Sequence, residues 1–320
     1  MRFPRRQLLQ LSLALGAALA SPWLGAQTAS NVGAATYPAS GTHSVQVGDF
    51  KVTAILDGIS RRPMSEGFVR NATVEQAKAA LALHGLPTDY LDVPYTVFLV
   101  EADGKRYLMD SGFADNGPPG TGKLRDQLAK LNIEPAQIDA VLMSHLHGDH
   151  INGLRQKDGN LVYPNATIYI PEPEYAFWMS KEKLDAAPEA ARGGFLAVRR
   201  VLTDYPADKI KRFTPGDKLL DQFDTIQAFG HSPGHTAIAI GAGKHRFTFL
   251  GDTAHFPALF VSNPDWQVQF DMNPEQARTT RQALLNRMAQ EGGLVGGYHF
   301  PFPSLGHIKK EGERYHFVSE

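Results

Sequence analysis

Hydrophobic positions along the chain change period several times, and each change marks an element. Residues 45 to 57 give two short apolar stretches around Gly48-Asp49, a hairpin pattern ending in a turn at Asp57-Gly58. From Asn71 to His84 the spacing turns helical, with Ala77, Leu81 and His84 on one side and Gly85 as a stop. Residues 95–100 and 106–109 read as strands joined by Asp103-Gly104, 123–131 as a short helix, and 138–143 as a buried strand. Further on, 167–170 is a strand, 172–180 a helix, and 181–205 a helical insert rich in alanine. Strands follow at 225–229, 236–240 and 247–250. The clearest helix runs from 273 to 291: Asn273 caps it, Pro274 takes its first position, and Gly292-Gly293 ends it. Short strands around 296–299 and 315–318 complete the pattern. Strands alternate with helices, yet hairpins are frequent, so the fold class is α+β. Two mixed sheets packed together with helices outside fit better than a doubly wound parallel sheet. Residues 45–320 show no internal repeat and no low-complexity linker, and read as one domain.

The N-terminal segment has a different pattern. A short basic stretch, Met1 to Arg6, precedes an apolar run from Leu8 to Ala20 and then small residues, with cleavage expected after Ala20 or Ala26. The run is too short for a comfortable membrane span, and residues 1–26 read as an export signal. Arg5-Arg6 before Gln7-Leu8-Leu9 resembles the twin-arginine type; a general secretory signal with two chance arginines is the alternative. Residues 27–44, small and polar, read as a flexible lead-in. The expected location is therefore periplasmic or secreted, with no stable membrane insertion of the mature chain.

Composition narrows the chemistry. The 320 residues are 42% hydrophobic, enough for a sizeable core, and the net charge of -1 comes with no long basic run. Nucleic acid is not an expected partner. There is no cysteine, which excludes disulfides, thiolate metal sites and a cysteine nucleophile, so any metal must sit on nitrogen and oxygen.

Such donors are concentrated directly after the buried strand at 138–143, in Ser144-His145-Leu146-His147-Gly148-Asp149-His150. On extended backbone His145 and His147 share a face, and Gly148 lets the chain turn so that Asp149 and His150 face a second point nearby. A catalytic zinc needs only about three protein ligands plus water, so four donors this close suggest two metals once distant ligands join. The distant candidates are His235 in Ser232-Pro233-Gly234-His235-Thr236, Asp252 after the strand at 247–250, and His299 near the C-terminus. A surface loop that happens to be rich in histidine is the alternative, and the downstream partners weigh against it.

This order of motifs resembles the metallo-β-lactamase superfamily across nearly the whole chain after the signal. Asp110-Ser111-Gly112 is similar to the family's early Asp-Thr-Gly turn. The resemblance implies a four-layer αβ/βα sandwich with the metal site at one edge of the two sheets. It also implies that His145, His147 and His235 hold one metal, and that Asp149, His150 and His299 hold the other. Asp252 would bridge them, and Asp110 would orient a ligand rather than bind. Two divalent ions, zinc by the donor set, would then supply a bridging hydroxide at neutral pH. Asp149 is also the candidate to pass a proton to the leaving group.

Asp252 argues against penicillin hydrolysis, because true β-lactamases of the superfamily lack an aspartate at the bridging position. A closer resemblance is to the branch containing methyl parathion hydrolase and related lactonases. It rests on Gly48-Asp49-Phe50, Asp57-Gly58, Phe177-Trp178, Phe300-Pro301-Phe302-Pro303 and Gly306-His307-Ile308. That branch implies a small lactone or ester as substrate, with organophosphate triesterase or arylesterase activity as one alternative and a non-catalytic metal- or ligand-binding protein as another. Trp178 and Phe195 are candidates to line an apolar substrate pocket; ordinary core packing is the competing reading. His255 stands three residues after Asp252, where many acyl-homoserine lactonases have a tyrosine; it is a catalytic candidate and puts homoserine lactones specifically in question. His231 and His307 read by default as supporting or surface residues. The stretch 59–70, with Met64 and Phe68 taken as exposed, is a candidate homodimer contact.

Overall fold

Pairing starts at Thr42, inside the stretch expected to be a lead-in: β1 (Thr42–Val47) lies antiparallel to β2 (Phe50–Pro63). The computed structural model describes residues 32–320, so the expected export signal lies outside the described residues. The turn expected at Asp57-Gly58 is not one. β2 continues through it with a bulge between Leu56 and Gly58, because Asp57 turns its carboxylate inward to a loop instead. β3 (Tyr90–Ala102) and β4 (Lys105–Met109) extend the sheet as a meander, with α1 (Val74–Leu83) placed between β2 and β3 in the chain. The order then becomes parallel: α2 (Leu124–Lys130), β5 (Ala140–Leu142), α3 (Gly148–Ile151), β6 (Thr167–Pro171), α4 (Glu172–Trp178), α5 (Lys181–Ala186), α6 (Glu189–Leu202) and β7 (Ile210–Phe213).

A second sheet is built from β8 (Lys218–Leu219), β9 (Phe223–Gln227), β10 (Thr236–Ala242) and β11 (His245–Phe249). After α7 (Pro274–Glu291) it gains β12 (Leu294–Gly296), β13 (Leu305–Glu311) and β14 (Arg314–Ser319). Among the described residues each sheet has seven strands, in the orders β1-β2-β3-β4-β5-β6-β7 and β14-β13-β12-β11-β10-β9-β8. Their inner faces meet through aromatic pairs. Phe98 of β3 lies 5.4 Å from both Phe247 and Phe249 of β11, and Tyr107 of β4 lies 4.9 Å from Phe223 of β9. Helices α2 and α4 pack on the first sheet and α7 on the second, giving the αβ/βα sandwich. No helix among the described residues is long and apolar enough to cross a membrane.

Met64 and Phe68 are buried at 7% and 3% exposure, which corrects their reading as an exposed dimer contact. Phe68 packs about 6 Å from Phe256, Phe260 and Phe270, so it joins the early chain to the segment after β11. Burying a ring of this size is worth roughly 1.5–3 kcal/mol, far more than a solvated contact would return.

The chain leaves the C-terminal ends of β4, β5, β11 and β12 at one edge of the sandwich, and the histidine- and aspartate-rich motifs follow there. His299 lies three residues beyond β12, in a loop rather than within the strand expected at 296–299. Asp57 braces this edge from the side. Its carboxylate accepts from the backbone N–H groups of Phe113, Gly122 and Leu124, and a Cβ at Gly112 (φ +69°) would stand 2.7 Å from Asp57 Cγ.

Burial pushes the Asp57 carboxyl up to about 6, with those N–H groups and Lys123 pulling the other way. A carboxyl raised on folding stabilises the fold below about pH 4 and loses that contribution as pH rises through 6, about 3 kcal/mol in all. Asp57→Asn cannot ionise. Urea unfolding should therefore show the stability of wild type relative to Asp57→Asn falling by about 3 kcal/mol between pH 4 and pH 7. A difference that is the same at both pH values would contradict this role.

Candidate metal centre

The loop after β5 starts with Ser144, and Asp110 at the end of β4 fixes it. Asp110 accepts from Ser144 N (2.7 Å) and Ser144 Oγ (2.6 Å), and Oδ2 also meets His150 Nδ1 at 2.6 Å. It does so from a left-handed backbone (φ 64°), a conformation that a non-glycine residue holds only when its surroundings compensate. Burial raises the Asp110 carboxyl, and His150 and Ser144 act against that rise. Asp110 thus orients His150 and the start of the motif.

Three ring nitrogens converge at one point: His145 Nε2 lies 3.1 Å from His147 Nδ1, which lies 2.9 Å from His231 Nε2. Without a proton or a cation among them, three imidazoles aimed at each other cannot all satisfy one another, since each lone pair needs a donor opposite it. The second ring nitrogens of His145 and His231 are used elsewhere. His145 Nδ1 meets Ser144 Oγ at 2.9 Å, and His231 Nδ1 meets Asp271 Oδ1 at 3.0 Å.

Beside this cluster lies a second set: Asp149, His150 and His299 bring their ligand atoms together. His299 Nε2 is 3.3 Å from Asp149 Oδ2, while its Nδ1 is held by Pro94 O at 2.9 Å. Tyr298 stacks on His150 with ring centroids 3.9 Å apart, and its hydroxyl donates to Asp149 O. Asp252 stands between the two sets. Its Oδ1 is 3.3 Å from His150 Nε2, and its Oδ2 is 3.2 Å from His231 Nε2 and 3.3 Å from His299 Nε2.

The structure does not bring His235 into either set, which corrects its reading as the third ligand beside His145 and His147. Its Nε2 accepts from Asp252 N at 2.9 Å and its Nδ1 meets Ala228 O at 3.0 Å, so both nitrogens are taken. Gly251 (φ +52°) allows this approach, because a Cβ there would stand 2.5 Å from His235 Nε2. His235 fixes the backbone of Asp252, and His231 takes the place beside His145 and His147. The two histidines share one loop, and what separates them is Asp271, forty residues further along the chain. No local pattern carries that information.

Electrostatics divide the imidazoles. Burial, with the neighbouring histidines, holds His145 and His147 well below the ordinary imidazole value, and lowers His235 to about 3. Burial also opposes charge on His231 and His299, but Asp252 and the other facing carboxylates outweigh it and raise both to about 9. Asp149 and Asp252 are themselves held down by these histidines, against the cost of burial.

Asp149 Oδ2, His150 Nε2 and Asp252 Oδ1 are buried with no hydrogen-bond partner. An unsatisfied buried polar atom costs roughly 1–3 kcal/mol, and three facing one another are unexplained by folding alone. Donors of these types, oriented from behind and lacking partners in front, fit divalent cations.

His255 Nε2 lies 3.2 Å from Asp252 Oδ2, and its ring stacks parallel to His299 at 5.2 Å. Burial lowers its imidazole. Above the donors is a recess walled by Val93, Tyr95, Phe256 and Phe270, with Arg62 at its side and His147, Asp149, His231, Asp252, His255 and His299 as its floor. Trp178 and Phe195 are absent from those walls, which corrects their reading as pocket residues. They pack on each other at 4.9 Å, and Trp178 presents its edge to His147 from behind at 5.8 Å. His307 is remote from the centre, its Nδ1 against Gly293 O at 3.0 Å.

One carboxylate escaped the sequence reading. Glu174, at the start of α4, looks like an ordinary charge on a first helical turn, yet it is fully buried. It accepts from Leu146 N (3.0 Å), Trp178 Nε1 (2.9 Å), Ser232 Oγ (2.6 Å) and Gly234 N (2.6 Å). It therefore ties the loop carrying His145 and His147 to the loop carrying His231.

Comparison with known proteins agrees with this architecture. The hydrolase AbOPH of the beta-lactamase superfamily superposes with a TM-score of 0.82 at 26% identity, over 89% of this chain and 99% of that one. AidC, a dizinc quorum-quenching lactonase solved with the product N-hexanoyl-L-homoserine, gives 0.77 at 26% identity, over 88% and 98%. In sequence, the N-acyl homoserine lactonase AttM of Rhizobium radiobacter is 28% identical over 123 residues, 36% of this chain and 40% of that protein. The alignments span between 22% and 40% of the lengths of the curated relatives. The family model of the metallo-beta-lactamase superfamily matches residues 91–299, from the start of β3 through His299. With its sandwich, edge site and ligand-type side chains in place, the chain belongs to the metallo-beta-lactamase superfamily.

Proposed function

We propose that this protein is a dinuclear metal hydrolase that cleaves a small lactone or ester, exported by its N-terminal segment. The observation that carries the reading is the pair of donor sets with Asp252 within 3.3 Å of members of both, and orphaned polar atoms between them, beside an apolar recess. His145, His147 and His231 would hold one ion, Asp149, His150 and His299 the other, and Asp252 both. When bound, two such ions lower the pKa of water and polarise a substrate carbonyl or phosphoryl oxygen.

The side chains of the protein do the rest. Val93, Tyr95, Phe256 and Phe270 give the narrow recess apolar walls that would face the apolar part of a small substrate. Asp149 lines the recess, where its carboxylate would take the proton released by the attacking water and pass it to the leaving alkoxide. His255 holds Asp252 from the recess side, so its first duty is to fix the shared carboxylate. The likeness to AidC and AttM supports a lactone over an open ester.

Protein prepared with zinc should contain two ions per chain. His231→Ala should hold about one, whereas His235→Ala should retain both with a lower melting temperature; the reverse pattern would restore the ligand role to His235. Asp252→Ala should lower kcat/KM by about 10³-fold or more, since it removes the group shared by both sets. Near-normal turnover would refute that role. In a panel of γ- and δ-lactones, aryl esters and a nitrophenyl phosphotriester, lactones should give the highest kcat/KM. Turnover of the phosphotriester alone would overturn the lactonase reading.

A further inference from the structure

Behind the three-histidine set lies a buried ion pair that has no part in the roles described so far. Arg281 projects from α7 with 1% exposure, and its guanidinium is fully engaged. Its Nε donates to Thr253 O (3.0 Å), its Nη1 to Pro264 O and Trp266 O, and its Nη2 to Asp271 Oδ2 at 3.2 Å. The other oxygen of Asp271 meets His231 Nδ1. A continuous line therefore runs from Arg281 through Asp271 to His231.

Burying a guanidinium is costly, and an apolar side chain of similar volume would serve packing at least as well. The contacts show what the charge does. Asp271 is buried at 2% exposure, and Arg281 Nη2 holds the carboxylate oxygen that does not face His231. The other oxygen faces His231 Nδ1, so Nε2 is the nitrogen that His231 presents to His145 and His147. Among the described residues no arginine-backed carboxylate reaches the second set: His150 is oriented by Asp110, whose partners are Ser144 and His150, and His299 by Pro94 O.

We propose that Arg281 is a positioning residue which, acting through Asp271, fixes the tautomer and orientation of His231 and so governs occupancy of the three-histidine metal position in preference to the other. This rests on the two-metal reading above.

The test is zinc competition against a chromophoric chelator, using full-length wild type, Asp271→Asn and Arg281→Met, with thermal unfolding of the zinc-free proteins alongside. Wild type should release two ions. Both variants should bind one ion about 10–100-fold more weakly while the other changes by less than about threefold, the loss typical when a partner of a ligating histidine is removed. Unchanged zinc binding in Asp271→Asn, or equal weakening of both ions, would overturn the inference. Should Arg281→Met fail to fold, Asp271→Asn decides alone, because it removes charge with almost no change of shape. Fewer than two ions in wild type would instead defeat the proposed function, and the inference with it.

Discussion

The site depends on anchoring four of its five imidazoles at the nitrogen they do not present to the centre. Ser144, Asp110, Asp271 and Pro94 O hold His145, His150, His231 and His299 in turn. Without those anchors, buried histidines and carboxylates would rotate to satisfy each other. With them, Asp149, His150 and Asp252 are left with unsatisfied atoms facing one another. The sandwich supplies the anchors from separate elements: Asp110 from the end of β4, Pro94 from β3, and Asp271 from the turn before α7. Closing the two sheets through Phe98, Phe247 and Phe249 therefore also closes the site.

Two buried carboxylates brace this arrangement from opposite sides. Asp57 fixes the chain from Phe113 to Leu124 beside the Asp110 turn, and Glu174 joins the His145 loop to the His231 loop. Each accepts several backbone N–H groups that would otherwise be orphaned in loops, the usual condition for irregular backbone to be buried. The precision of the centre thus comes from polar groups outside it, while Trp178 and Phe195 contribute packing behind it.

Much of this was legible in the sequence wherever the signal is local. The dense run from His145 to His150, the strand before it and the capped helix α7 are all short-range patterns, and they place the metal-type cluster at a strand end. The choice between His231 and His235 is not local, since it turns on Asp271 and on the amide of Asp252. Glu174 was hidden for a related reason: a glutamate in a first helical turn is the default surface residue, and only tertiary packing makes it a buried acceptor. The burial of Phe68 is likewise not local, since three aromatic rings from the segment after β11 enclose it. The turn expected at Asp57-Gly58 failed because Asp57 is satisfied by amides more than fifty residues away.

Two ions held by His145, His147, Asp149, His150, His231, Asp252 and His299 are the centre of the proposed site. Anomalous diffraction at the zinc edge, from crystals of zinc-loaded protein, tests this most directly. Two peaks are expected, one bounded by His145, His147 and His231 and one by Asp149, His150 and His299, with Asp252 between them. A single peak, or a peak ligated by His235, would contradict it.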